Sequence, residues 1–158
     1  MAEFTHFNEA GRARMVDVSA KASTERVATA QAKILLQPET LEKIQQRTIA
    51  KGDVLAVAQV AGVMGAKKTG ELIPLCHPLA LSHVDVELSL VATPPTIRIT
   101  SEVATTGQTG VEMEALVAVS VALLTVYDMV KAADKRMRIG KVRLTFKSGG
   151  KSGTFRAS

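Results

Sequence analysis

Hydrophobic and polar positions alternate in several short segments, and this alternation predicts β-strands. The clearest case is "HVDVELSLV" (83–91), whose valines and leucines fall on one face, as in a half-buried strand. After the turn "TPP", "TIRITSEV" (96–103) should return antiparallel to it, and "GKVRLTFK" (140–147) alternates in the same way. A short apolar run, "AKILLQ" (32–37), predicts a further strand earlier in the chain.

Longer segments between these strands carry helical signals. Pro38 suits the first position of a helix over "PETLEKIQQRTI" (38–49), which follows the early strand. The segment 52–72 is rich in alanine and valine, and Gly62 and Gly65 would allow it to pack closely against a neighbour. The segment 111–135 is long enough for a helix rather than a strand. The order β-αα-ββ-α-β predicts an α+β, ferredoxin-like fold, with helices covering one face of an antiparallel sheet.

The long predicted helix is apolar on every side between residues 115 and 127. A helix that covers one sheet face needs only one apolar stripe. The surplus apolar surface therefore predicts a contact with another subunit, and we expect a homo-oligomer. The apolar run is shorter than the roughly 20 residues that a membrane-spanning helix needs, so no membrane association is expected.

Length and composition favour one domain over residues 1–158, with flexible polar ends at about 1–14 and 148–158. The formal net charge of +5 favours anionic partners, while an aromatic content of 3% argues against stacking on single-stranded nucleic acid. A small phosphorylated ligand fits better than a polymer. The single cysteine and the lack of a signal-peptide core predict a reducing, cytoplasmic location.

The segment "LIPLCHPL" (72–79) holds the only cysteine beside a histidine, between two prolines. Each proline restricts its own backbone and that of the residue before it, so the segment should be stiff. In an extended pair Cys76 and His77 point to opposite faces, which predicts that one faces the core and the other a cavity. A semi-buried structural histidine and a positioned proton donor both remain open for His77.

Polar residues stand at both ends of the long helix: Glu112 and Glu114 at its start, and Asp128 and Lys131 at its end. Helix-end electrostatics account for both glutamates and for the lysine. They do not account for Asp128, because an acid near a helix C-terminus is unfavourable. Spacing alone leaves an ordinary ion pair and a catalytic group equally open.

Three further signals lead to weaker interpretations. Lys51 precedes a predicted helix start and suits an anion, but an isolated lysine is more often a solvated surface residue. Zinc is not expected, because His83 belongs to the exposed strand face and no second cysteine completes a site with Cys76 and His77. "KSGGKSG" (147–153) imitates a phosphate loop but lacks the first glycine and a following helix, so we interpret it as a flexible basic tail that closes over an anion.

Six motifs, in this order and spacing, closely resemble the cyclic pyranopterin monophosphate synthase family of molybdenum-cofactor biosynthesis. They are "MVDVSAK" (15–21), "KGDV" (51–54), "LIPLCHPL" (72–79), "TGQTGVEMEAL" (106–116), "YDMVKA" (127–132) and "KSGGKSG" (147–153). The chain departs from the family pattern at Val130, where relatives often carry cysteine, so a thiol there is not essential. It departs also at His83, a position that is often basic.

The resemblance implies a lyase that converts a 3′,8-cyclo-dihydro-GTP into cyclic pyranopterin monophosphate and releases pyrophosphate, without a cofactor. It implies a homo-hexamer built as a trimer of dimers, with sites at the dimer interface. The catalytic residues it assigns are Lys51, His77, Asp128 and Lys131. The substrate-binding residues it assigns are Leu75, Cys76, His77, Met113 and Glu114, with Glu112, Asp17, Lys21 and Lys147 as less certain members.

Two other classes of function compete with this one. A ferredoxin-like RNA-binding module would carry aromatic residues on a central strand, and "TIRITSEV" and "VRLTFKS" lack that pattern. An oligomer that senses a nucleotide without turnover would bind the same substrate but release no pyrophosphate. Assay of the products with that substrate separates the enzyme from the sensor.

Overall fold

The computed structural model describes residues 5–158, and its elements follow the predicted order with two short additions. Four helices and five strands occur in this part of the chain. Their bounds are β1 (Thr24–Leu35), α1 (Pro38–Gln45), α2 (Val54–Lys67), α3 (Thr69–Leu72), β2 (His83–Val91), β3 (Thr96–Gly107), α4 (Glu112–Val130), β4 (Arg138–Ser148) and β5 (Phe155–Arg156). The additions are the single-turn helix α3 and the two-residue strand β5.

The strands form one antiparallel sheet in the order β2-β3-β1-β4-β5. The first four strands reproduce the ferredoxin-like order, read from one edge to the other. Helices α2 and α4 pack together, and they lie against the sheet chiefly at β1, β2 and β3. The predicted α+β, ferredoxin-like architecture is confirmed.

Strand β1 is about twice as long as the sequence predicts and begins at Thr24 rather than near residue 32. Its inward-facing positions are mostly alanines, among them Ala28, Ala30 and Ala32, all at most 1% exposed. Alanine contributes little to a hydrophobic pattern, so the alternation is weak in the sequence. The small side chains bring the sheet backbone close to α4, which packs on this strand.

Helices α2 and α4 approach closely where α2 carries glycine. A Cβ on Gly62 would lie 3.0 Å from the main-chain oxygen of Ala118, and one on Gly65 would lie 2.8 Å from Cγ2 of Val121. The predicted close packing at both glycines is confirmed. Asp53 begins α2, because its carboxylate accepts a hydrogen bond from the Ala56 N–H at 3.1 Å.

Helix α1 starts at Pro38, as predicted, but it ends earlier, at Gln45. The buried carboxylate of Asp134 fixes the start of this helix, since it accepts hydrogen bonds from the Gln37 N–H at 2.9 Å and the Thr40 hydroxyl at 3.2 Å. Asp134 also accepts one from the Arg136 N–H at 2.9 Å. The loop after α4 is thereby attached to the beginning of α1.

Helix α4 is long and apolar enough to cross a membrane by length and composition, yet half of its apolar stretch is buried inside the fold. Its inner side is part of the hydrophobic core, while Leu124 remains 58% exposed. Val57, Val60 and Met64 of the neighbouring α2 are also 46–60% exposed. These four residues define the apolar helix face. Only Leu124 among them belongs to α4, because most of the apolar surface predicted for that helix is buried against α2 and the sheet within the chain.

The C-terminal segment, expected to be flexible, folds back along the sheet. Strand β5 pairs with β4 at two positions, and the Ala157 N–H donates to the Thr145 oxygen at 2.9 Å. Most of its side chains are exposed. At the other end, residues 5–14 contain one isolated bridge between Phe7 and Ala13; the prediction of flexibility at 1–14 also covers residues 1–4, which lie outside the described part.

Candidate active site

A cavity of about 260 Å³ opens beside the start of helix α4. Three segments that are distant in sequence form most of its wall: 16–21, 75–79 and 109–114. The cavity therefore combines the loop before β1, the proline-framed segment and the first turn of α4. It brings together seven of the predicted substrate-binding residues: Lys21, Leu75, Cys76, His77, Glu112, Met113 and Glu114.

Cys76 and His77 both line this cavity. The prediction that one of them faces the core is wrong, because the chain turns before the pair: the Cys76 N–H donates to the Ile73 oxygen at 3.1 Å. The His77 ring hydrogen-bonds through Nε2 to the main-chain oxygen of Val16 at 2.6 Å. An oxygen acceptor requires a proton on Nε2, so the histidine holds the segment 16–21 against the cavity.

The thiol of Cys76 is poorly suited to act as a nucleophile. Burial and the nearby carboxyl of Glu114 both raise its pKa, and only the thiolate is a strong nucleophile. The side chain therefore contributes to the cavity wall as a protonated thiol.

The first turn of α4 places two carboxyl groups in different environments. Glu114 is only 4% exposed, and burial together with the charge of Glu112 raises its pKa. Glu112 forms an ion pair with Lys147 of β4 at 3.0 Å. Glu114 is thus the carboxyl in this wall that holds a proton most readily, while Glu112 orients a cation at the cavity's edge.

The segment before β1 contributes Lys21 to the cavity but not Asp17. The Asp17 carboxylate accepts hydrogen bonds from the Ser19 N–H at 2.9 Å and the Ser19 hydroxyl at 2.5 Å. These bonds lower the pKa of Asp17. Asp17 therefore shapes the turn, and the Gln108 amide holds that turn by donating to the Lys21 oxygen at 3.1 Å.

A second charged cluster lies at the other end of α4. The Asp128 carboxylate contacts Nζ of Lys131 at 2.7 Å and Nζ of Lys51 at 3.0 Å. Lys51 also donates to the main-chain oxygen of Asp128 at 3.0 Å. The next residue, Gly52, has a φ of +108°, a backbone conformation that glycine adopts without strain. The lysine that looks isolated in the sequence therefore has a specific partner.

The charges in this cluster reinforce one another. Hydrogen bonds from Lys131 and Lys51 lower the pKa of Asp128, and the hydrogen bond to Asp128 raises the pKa of Lys131. Asp128 and both lysines are about half exposed. The cluster is thus an accessible arrangement of one carboxylate and two ammonium groups.

The cavity and the cluster stand at opposite ends of one helix. Glu114 and Asp128 are fourteen residues apart, which corresponds to about 21 Å along the axis of α4. Within one chain, the structure does not bring the catalytic residues predicted at the end of α4 to the cavity at its start.

A model of the MoaC family matches residues 15–150. The chain belongs to the MoaC family. It is 63% identical over 153 residues to a protein of Desulfitobacterium hafniense named "Cyclic pyranopterin monophosphate synthase", covering 97% of this chain and 93% of that relative. Relatives with the same name are 61% identical in Brevibacillus brevis, over 97% of this chain and 95% of that one, and 59% identical in Dinoroseobacter shibae, over 99% of both.

The region that matches the MoaC family includes all the predicted site residues, from Asp17 to Lys147. Within residues 5–158, no three His, Cys, Asp or Glu side chains are grouped so that they could hold a metal ion. His83, the third potential ligand near Cys76, lies instead on the exposed face of β2, 3.5 Å from Glu102.

Arg26 is a functional candidate that sequence reasoning missed. Its side chain points inward from β1, is 8% exposed and donates to the Gly107 oxygen at 3.3 Å. The guanidinium lies where a Cβ on Gly150 would be, so the glycine turn after β4 packs directly on it. Together with Lys21 and Lys151 it lines a second cavity of about 680 Å³. A charged residue at an inward position of a strand was the available signal.

Proposed function

We propose that this chain catalyses the reaction that the family resemblance implies. It converts 3′,8-cyclo-dihydro-GTP into cyclic pyranopterin monophosphate and releases pyrophosphate. In the cyclisation of the phosphate, a hydroxyl oxygen of the substrate attacks the α-phosphorus, and the bond from that phosphorus to the bridging oxygen breaks. The departing pyrophosphate takes the electron pair, and the hydroxyl proton passes to a base.

The observation that carries this proposal is the contact of Lys51 and Lys131 with one carboxylate, that of Asp128, at 3.0 and 2.7 Å. Rearrangement of the substrate's rings needs proton donors and acceptors, and the leaving pyrophosphate needs cations. The ionised Asp128 holds both ammonium groups in position. The ammonium groups supply positive charge and donor hydrogens to the reacting region.

The cavity at the start of α4 supplies the rest of the binding site. The buried carboxyl of Glu114, with its raised pKa, is a proton-carrying group beside the bound ring system. Lys21 lines both this cavity and the neighbouring one that holds Arg26 and Lys151. The neighbouring cavity is basic and is therefore suited to the triphosphate of the substrate. Lys147 lies near it, because its ammonium group donates a hydrogen bond to the Ser152 hydroxyl at 2.9 Å.

We assign the complete site to two subunits. An antiparallel meeting of two α4 helices across a twofold axis brings the start of one helix beside the end of the other. The exposed apolar helix face (Val57, Val60, Met64 and Leu124) would be buried in that contact. The dimers assemble further into a hexamer, as the resemblance implies, and the enzyme acts in the cytoplasm.

Incubation of the protein with the cyclic substrate tests the activity, with pyrophosphate release and the pterin product measured. Three single substitutions should each nearly abolish turnover while the assembly stays folded: Lys51→Ala, Asp128→Ala and Lys131→Ala. Near-normal turnover in Asp128→Ala would remove the central residue of the proposal. Binding of the substrate without pyrophosphate release would instead identify a nucleotide sensor.

Exchange of subunits tests the shared site separately. Glu114→Gln and Asp128→Asn should each be inactive alone, because each damages one half of every site. After mixing and verified exchange, some dimers carry one intact site, so activity should return to about a quarter of the wild-type level. Two Asp128→Asn preparations mixed together serve as the control. Continued inactivity of the mixed dimers would place each site within a single subunit.

A further inference from the structure

The segment 6–14 forms a short hairpin, although the sequence predicts flexibility there. Phe7 and Ala13 face each other in an antiparallel bridge. One residue further from the tip, the Arg14 N–H donates to the main-chain oxygen of His6 at 2.8 Å. We call residues 6–14 the N-terminal hairpin.

Asn8 closes the tip of the N-terminal hairpin. Its side-chain oxygen accepts hydrogen bonds from the Ala10 N–H at 3.1 Å and the Arg12 N–H at 2.9 Å. Its main-chain oxygen accepts one from the Gly11 N–H at 2.8 Å, and Gly11 has a φ of +73°. A short amide side chain suits such a turn because it can bond to the backbone two residues further on. Local hydrogen bonds therefore determine the shape of the tip.

The N-terminal hairpin buries little of its own surface. All its residues except Asn8 are exposed, and Phe7 is exposed by 55%. An isolated two-stranded hairpin is only marginally stable in water, so its position depends on where it is attached. The attachment follows two residues after the hairpin, where the main-chain oxygen of Val16 bonds to Nε2 of His77 at 2.6 Å. The hairpin is thus joined at its base to the wall of the substrate cavity.

The first strand of the hairpin reaches the cavity itself. Thr5 and His6 line the cavity of about 260 Å³ that also holds Cys76, His77 and Glu114. His77 uses Nε2 to hold the segment 16–21, which leaves only Nδ1 for a ligand. His6 is exposed, so it lies at the opening of the cavity rather than at its floor. The cavity therefore has a second histidine, at its rim.

We propose that the N-terminal hairpin is a flap over this cavity and that His6 binds the guanine-derived ring system of the substrate. This inference rests on the proposed function. Pockets that enclose a whole drug-sized ligand measure about 300–1,000 Å³, so a cavity of about 260 Å³ suits the ring system alone. The triphosphate then lies in the neighbouring basic cavity.

The chemistry of imidazole fits such a ring system. A neutral histidine offers one donor and one acceptor, and a guanine-derived ring presents both kinds of group along its edges. Bases also stack on aromatic side chains, histidine included. A flap that covers the ring system excludes water from the site, which strengthens the polar contacts inside it.

Kinetics of His6→Ala test the contact. The variant should raise KM about 5–10-fold, the range expected for the loss of one hydrogen bond to a ligand. Its kcat should stay within about twofold of the wild type, because a contact made equally in the ground and transition states changes KM alone. Tm should not change, since His6 is exposed. His83→Ala is the matched control: this histidine is also exposed, but it lies on β2 and does not line the cavity.

Substitution of Asn8 tests whether the hairpin presents His6. Asn8→Ala removes the oxygen that closes the tip, so it should raise KM several-fold although Asn8 does not line the cavity. Asn8→Asp keeps an acceptor oxygen at the same place and should have a KM near that of the wild type. A wild-type KM in Asn8→Ala would overturn the flap, and a wild-type KM in His6→Ala would overturn the contact.

Binding without turnover gives an independent readout. In the Asp128→Asn variant, saturating substrate should slow tryptic cleavage after Arg12 and Arg14 at least about fivefold, because cleavage follows the population of the open flap. In Asp128→Asn with His6→Ala, calorimetry should show weaker binding, and protection at equal saturation should be lost. Equal affinity and equal protection in the two proteins would overturn the inference and leave the proposed function intact. No binding of the substrate to the wild type or to Asp128→Asn would instead remove the proposed function, and this inference with it.

Discussion

Replacement of Asp134 tests how the loop after α4 is joined to helix α1. The side chain is 4% exposed and accepts hydrogen bonds from the Gln37 N–H, the Thr40 hydroxyl and the Arg136 N–H. Hydrogen bonds to a charged group contribute about 1.5–3 kcal/mol each. The three share one acceptor and are not additive, so we expect Asp134→Ala to lower the free energy of unfolding by about 3–5 kcal/mol.

The loss of stability in Asp134→Ala should become smaller at low pH only. Burial acts to raise the pKa of Asp134, but the hydrogen bonds from Gln37, Arg136 and Thr40 outweigh it and hold the pKa below its ordinary value. A lowered pKa means that the carboxylate stabilises the fold fully above the pKa of the unfolded chain, near 4. This stabilisation is lost as the pH falls through the folded pKa. Alanine cannot titrate, so the difference between the two proteins should be constant from pH 7 to 5 and shrink below about pH 4.

Urea unfolding at fixed protein concentration, followed by circular dichroism at pH 7, 5, 4 and 3, measures both effects. A loss of 3–5 kcal/mol corresponds to a drop in Tm of about 6–20 °C for a chain of this size. Glu9→Ala, at an exposed carboxylate, is the matched control and should change stability little. A difference below about 1 kcal/mol at pH 7, or one that persists unchanged at pH 3, would refute the role given to Asp134.

Three further outcomes are expected. Gly65→Ala should destabilise the fold by about 1–3 kcal/mol, although alanine has the better helix propensity, because the new Cβ would meet Val121. Thermal unfolding measures this, and a more stable variant would contradict the close packing of α2 on α4. His77→Ala should release the segment held at Val16, seen as faster proteolysis there and lower turnover, whereas unchanged cleavage would show that the bond to Val16 contributes nothing. Deletion of 148–158 should weaken substrate binding, measured by calorimetry, more than it lowers Tm, and the opposite order would mean that strand β5 is mainly structural.

Local patterns were sufficient to predict the order of the helices and strands, apart from the short α3 and β5. The strand at 83–91 has the bounds that alternation predicts, and Pro38 begins its helix as expected. Strand β1 was too short in the prediction because its inward residues are largely alanine, whose burial is imposed by the close approach of α4. The end of α1 was misplaced because Arg47 adopts a positive φ of 56°, which no nearby glycine signals.

The site was predictable in its residue types but not in its grouping. Lys51 appeared isolated because its partner, Asp128, is 77 residues away in sequence. Cys76 and His77 were expected on opposite faces, yet a turn before them directs both to one cavity. Arg26 was overlooked, since the glycine turn that covers its guanidinium comes from the far end of the chain.

The sequence by itself determined the periodicities, the element order and the fold class, because these depend mainly on neighbours in the chain. Its motifs, in their order and spacing, also indicated the family. Only the tertiary structure decided which charges meet. It placed Lys51 and Lys131 on Asp128, buried Glu114, and separated both groups along α4. The physical reason is that pKa shifts and ion pairs fall off within a few ångströms, and distances of that size between remote residues are set by packing rather than by local sequence.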